Sequence, residues 1–99
     1  VLEYISIHYR EPLSVKELSG ISNYSEFYFM KLFKQYTGKT AAAYLNDYRL
    51  EKAKSLLLHT DNSVTDIAIE VGFNNTSYFI KKFQEANQIS PHKFRKKMS

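Results

Sequence analysis

Lys31 and Lys81 stand about 50 residues apart, each inside a copy of the same motif. An ammonium group carried on a helix can reach guanine O6/N7 or a phosphate oxygen. Around these lysines fall two outward stripes, Phe27, Met30, Lys31 and Lys34 in the first copy, and Thr76, Ser77, Ile80, Lys81 and Gln84 in the second. Hydroxyls and an amide suit base edges, whereas Phe27, Met30 and Ile80 offer apolar contact only, for example to a thymine methyl. The first stripe is therefore expected to contribute fit more than letters, and the second to carry the polar readers and the charge. Helix-start N–H groups at Ser14-Val15, Ser63-Val64 and Asn75-Thr76 are expected to hold phosphates.

Other chemistries find little support. The chain has no cysteine, which excludes a disulfide, a thiolate zinc site and a cysteine nucleophile. His8, His59 and His92 are scattered, none with a second ligand type at i, i+4, so no metal or cofactor is expected. No acidic dyad sits in an apolar setting and no glycine-rich phosphate loop occurs, so the chain is not expected to be an enzyme. The longest apolar stretches fall far short of the ~18–20 residues that cross a bilayer, and no charged-then-apolar leader opens the chain. A reducing, intracellular setting fits. The opening Val1 in place of Met points to a piece of a longer protein.

The 99 residues carry a formal net charge of +4, and its placement is uneven. Residues 1–74 hold eight basic and nine acidic side chains, whereas residues 75–99 hold six basic ones (Lys81, Lys82, Lys93, Arg95, Lys96, Lys97) against Glu85 alone. Such asymmetry points to a polyanionic partner, nucleic acid first and an anionic membrane surface second.

The elements that must position these residues form an internal repeat. Tyr28-Phe29-Met30-Lys31-Leu32-Phe33-Lys34 matches Tyr78-Phe79-Ile80-Lys81-Lys82-Phe83-Gln84, and Ser14-Val15-Lys16-Glu17-Leu18 matches Ser63-Val64-Thr65-Asp66-Ile67. A period this long means two supersecondary units. With two prolines, three glycines and no period-2 alternation, the expected fold is all-α, with seven helices in two helix-turn-helix subdomains. Leu2, Ile5 and Tyr9 line the first helix, which stops before Glu11-Pro12. Ser14-x-x-Glu17 and Ser63-x-x-Asp66 are capping boxes; Val15, Leu18 and Ile21 face inward behind the first. Asn23 and Gly72 supply left-handed turn residues, and Tyr24 or Phe73 folds back to close each pair. Gly38 ends the first long helix in the same way; its counterpart Gln88 suits that backbone poorly, leaving Asn87 or another local geometry to absorb the difference.

Each pair is a short helix, a tight turn and a longer helix sized for a DNA major groove, here about residues 25–36 and 75–86. Phe29, Leu32, Phe33 and Tyr36 are the inward stripe of one, and Phe79, Phe83 and Ala86 of the other. Between them, Ala41, Tyr44, Leu45, Tyr48, Leu50, Ala53, Leu56 and Leu57 mark a helix of ~28 Å, which suits two heads one duplex turn, ~34 Å, apart. Domain limits are expected at 1–39 for the first subdomain, 40–60 for the linker helix and 61–99 for the second. Ser90-Pro91 starts a last helix with Phe94 inward and Arg95, Lys96 and Lys97 outward.

The string Ile67-Ala68-x-x-Val71-Gly72-Phe73-x-x-x-Ser77-Tyr78-Phe79-x-x-x-Phe83, continuing to Ser90-Pro91-x-x-Phe94-Arg95, resembles the signature of the AraC/XylS family of bacterial transcription regulators. The first copy, through Leu18-Ser19, Ser25, Phe29, Phe33-Lys34, Gly38 and Tyr44-Leu45, resembles that family's other half. The resemblance implies a cytoplasmic, nucleoid-associated domain that binds double-stranded promoter DNA and contacts RNA polymerase, usually as an activator. It also implies an amino-terminal effector-binding or receiver domain. Carried residue by residue, it marks Phe27, Met30 and Lys31, then Thr76, Ser77, Tyr78, Ile80 and Lys81, as base readers. Gln84, Gln88 and Met30 depart from residues common there. The rival expectation is a helical protein-interaction module that docks a partner on Phe27, Met30 and Ile80.

Overall fold

Serine, threonine or asparagine stands before six helices and sets where each begins. The computed structural model describes residues 1–98 as α1 (Leu2–His8), α2 (Val15–Ser22), α3 (Glu26–Thr37), α4 (Ala41–His59), α5 (Val64–Glu70), α6 (Thr76–Asn87) and α7 (Pro91–Met98), with no strand among the described residues. The side chains of Ser14, Ser25, Ser63 and Asn75 each accept the N–H three residues on, at 2.9–3.2 Å. Thr40 and Ser90 do the same for Ala43 and Lys93, both at 3.2 Å. Each cap satisfies a donor that the helix cannot, worth about 1 kcal/mol. The box at α2 is one-sided, because Glu17 turns its carboxylate to the Tyr4 hydroxyl at 3.0 Å. That hydrogen bond pushes the Tyr4 phenol pKa up.

The two turns close alike. Asn23 (φ 62°) and Gly72 (φ 107°) both take the left-handed backbone. Tyr24 N–H then reaches Ser19 C=O at 3.1 Å, and Phe73 N–H reaches Ala68 C=O at 2.9 Å, the six-to-one bond of a Schellman ending. The ends of α3 and α6 also match, with Gly38 N–H on Lys34 C=O and Gln88 N–H on Gln84 C=O, both at 2.8 Å. Gln88 absorbs no local difference; it adopts φ 58° itself.

Two compact units result, Val1–Tyr48 and a second from Arg49 onward, dividing within α4. In the first, Ile5, Tyr9, Leu18, Phe29, Phe33 and Leu45 are buried, with the Phe33 ring edge-on to Tyr44 at 5.4 Å. In the second, Leu57, Ile67, Val71, Phe79 and Phe83 are almost fully buried, and Phe83 meets Phe94 edge-on at 5.6 Å. Small residues at matching places, Ser19 and Ala68, are buried in α2 and α5.

Several expected inward residues lie outside. Leu2 and Ile21 are exposed, Tyr36 is 89% exposed, and Ala86 faces solvent too. Helical spacing gives a side chain's angle, but the last turn of a stripe is covered only if a neighbour extends that far. Tyr24 is 47% exposed while its counterpart Phe73 is 4% exposed, so only the second turn tucks its aromatic away. Arg95 is not an outward charge: its Nε donates to Leu57 C=O at 3.1 Å and its Nη2 to Thr60 C=O at 3.2 Å, at the carboxyl end of α4. Arg49 is buried with its guanidinium 5.8 Å from the Phe73 ring centre; burial lowers its pKa.

Candidate nucleic-acid interface

Each unit carries one shallow, open face built from the same five helix positions. On α3 it is lined by Phe27, Met30, Lys31, Lys34 and Gln35, with Thr40 at its edge; on α6 by Ser77, Ile80, Lys81, Gln84 and Glu85. These are the i, i+3, i+4, i+7 and i+8 positions, a single stripe along a helix. Opposite it in each case lies the buried pair, Phe29 and Phe33 or Phe79 and Phe83. The packing that makes the core thus aims the stripe outward.

The chemistry of the two faces differs position by position. Phe27 is 76% and Met30 48% exposed, where α6 has Ser77 and the half-buried Ile80. Lys34 is matched by Gln84, and Gln35 by Glu85. Among the described residues, no acidic group pairs Lys31, Lys34 or Lys81. The α3 face therefore holds two cations and no anion, whereas the α6 face holds one of each. This reverses the expected placement of charge on the heads. The excess positive charge of the carboxyl-terminal quarter lies mainly on α7, where Lys93, Lys96 and Lys97 are exposed. Lys82 meets Glu85 at 3.4 Å.

Not every expected contact residue joins these faces. Asn75 gives its side-chain oxygen to Tyr78 N–H at 2.9 Å, leaving the Thr76 and Ser77 N–H groups as outward donors of the first turn. Thr76 is half-buried at that end. Tyr78 turns to the other flank, its ring 6.1 Å from Phe73 and 5.5 Å from Lys82 Nζ. Conversely, Gln35, Thr40 and Glu85 line these faces and lie outside the stripes expected from the sequence. The i+4 step from Lys31 and Lys81 would have found Gln35 and Glu85; Thr40 belongs to the next element and carries no such signal.

Among the described residues, no group of three His, Asp or Glu is placed to hold a metal, and no helix is long and apolar enough to cross a membrane.

Residues 18–97 match the model of a helix-turn-helix domain family. The chain is 37% identical over 98 residues to the regulatory protein PocR of Salmonella typhimurium, covering 99% of this chain and 32% of PocR. It spans about a third or less of the length of the curated relatives it matches. Among solved structures, the carboxyl-terminal domain of the two-component response regulator yesN from Fusobacterium nucleatum is 36% identical, with a TM-score of 0.90 over 95% of this chain and 92% of that one. The DNA-binding domain of the global transcriptional factor AdpA, solved with a target DNA, is 25% identical, with a TM-score of 0.93 over 97% of this chain and 86% of that one. These are regulators and not enzymes. The chain belongs to the AraC-type helix-turn-helix family of DNA-binding transcription regulators.

Proposed function

We propose that this domain binds promoter DNA sequence-specifically with α3 and α6 in adjacent major grooves of one duplex, and activates transcription from that site. The observation that carries this reading is the repeated five-position stripe, exposed on both units and holding unpaired Lys31, Lys34 and Lys81. An exposed polar or apolar stripe beside free cations matches a groove whose floor carries base edges and whose walls carry phosphates. Phe27, Met30, Lys31, Lys34, Ser77, Ile80, Lys81 and Gln84 face the bases or the flanking phosphates; Asn75, Thr76 and Tyr78 sit at the amino-terminal edge of α6, where backbone donors suit a phosphate. The first subdomain would then run over 1–39 and the second over 61–99, joined by 40–60.

In the whole protein a preceding effector-binding or receiver domain would set the activity of this one, and RNA polymerase would be its partner at the promoter. A cytoplasmic, nucleoid-associated location goes with that role. The test is footprinting with sites selected from random duplexes, repeated over a salt series. Protection of two adjacent major grooves on one duplex face, with log K falling by about 0.9 per log salt for each phosphate neutralised, is the expected result. Protection of one groove would show that a single head engages. Salt-insensitive docking to a protein helix without DNA affinity would replace this reading with an interaction module.

A further inference from the structure

We propose that the α3 face reads pyrimidine C5-methyl groups, thymine or 5-methylcytosine alike, through Phe27 and Met30, so that one half of the target site is the more methyl-dependent. The proposal rests on the reading that α3 enters a major groove. Phe27 and Met30 are the face's most apolar groups, and both are well exposed. Phe27 carries no donor or acceptor and the Met30 thioether is only a weak acceptor, so neither discriminates base edges by strong hydrogen bonds. The C5 substituent is the apolar group that the major groove presents, and it is present on thymine and absent from unmodified cytosine.

The surroundings commit this apolar patch to a nucleic acid. Lys31 and Lys34 lie on the same stripe as Phe27 and Met30, with no acidic group lining it and no ion pair on either lysine. A protein helix docked on the patch would complement the two lysines only if it also brought acids. A duplex supplies phosphates on both sides of the groove without further design. Gln35, one turn past Lys31, remains for an adenine N6/N7 edge. On α6 the same positions hold Ser77, Gln84 and Glu85, which can hydrogen-bond base edges, Glu85 accepting from cytosine N4. Ile80 leaves that half one apolar contact.

The experiment uses a selected high-affinity duplex and replaces thymines by deoxyuridine in one half-site at a time. This keeps base pairing and O4 and removes only the methyl. Fluorescence anisotropy titration should show about a fourfold loss for each methyl removed under α3, the worth of one buried carbon group, and a smaller loss under α6. Where a cytosine is placed at a sensitive position, 5-methylcytosine should restore the affinity. The double variant Phe27→Ala with Met30→Ala should lose most of the thymine-over-uracil preference in the α3 half, and each single variant part of it, with unchanged helical circular dichroism. Equal affinity of the unsubstituted chain for thymine and uracil in the α3 half, with specific binding otherwise intact, overturns methyl reading and leaves DNA binding standing. Absence of binding to any duplex at low salt overturns both.

Discussion

The two helix-turn-helix units share caps, turns and helix ends, yet the second is the better packed and the first the more adhesive. Phe73 tucks under its turn where Tyr24 stays out, and Phe79 and Phe83 are wholly enclosed. The first unit instead leaves Tyr24, Phe27, Met30 and Tyr36 exposed. A repeated backbone therefore does not impose repeated chemistry. Local hydrogen bonds define the frame, and the side chains hung on it are free to diverge, one copy toward stability and one toward apolar contact.

The largest expected effect tests this asymmetry in packing. Phe73→Ala should cost about 3–5 kcal/mol by urea denaturation, because it empties an enclosed site. The matched Tyr24→Ala should cost under about 1 kcal/mol, since an exposed ring loses little. Equal losses would remove the distinction between the units. Next is the asymmetry in charge. Lys31→Ala with Lys34→Ala should flatten the salt dependence of DNA binding by about two, and Lys81→Ala by about one, if each lysine meets a phosphate. Lys81→Ala should also relax preference at one or two base pairs in site selection; an unchanged footprint and affinity would remove Lys81 from the contact set.

Smaller effects sharpen the comparison at the helix ends. Arg95 is aligned with the buried Leu45, so one unit uses hydrogen bonds where the other uses apolar burial. Arg95→Met should cost about 1–2 kcal/mol by leaving the Leu57 and Thr60 carbonyls without their charged donor. A neutral result would show that solvent replaces it. Smallest are the two left-handed ends. Gln88→Gly should stabilise by about 0.5–1 kcal/mol, and Gly38→Ala should destabilise by about 1 kcal/mol, read as opposite shifts in melting temperature. No side chain stands near a Cβ added at Gly38, so the effect there is backbone strain alone.

Much of the frame is legible without coordinates. Ser14, Ser63, Asn23, Gly72 and Gly38 announce their roles because each acts on atoms within five residues of itself. The candidate faces are legible for the same reason: a helix repeats its side-chain angle every turn, so Phe27, Met30, Lys31 and Lys34 must share a side. Tyr36, Ile21 and Ala86 have the inward angle yet stay exposed, because no neighbouring element covers them. The role of Arg95 is not legible locally, because its partners lie 38 and 35 residues away, at a range where no spacing rule speaks.

Local chemistry in the sequence alone thus specified where the helices start, how the turns close and that the design occurs twice. Tertiary packing decided which aromatics became core and which stayed on the surface. It also decided which cations are free. Lys31, Lys34 and Lys81 remain open, while Arg95 is bound to the end of α4 and Arg49 is buried against Phe73. The division follows from range: a hydrogen bond across one helical turn is written in adjacent residues, whereas burial and charge pairing depend on surfaces that meet only after the chain has folded.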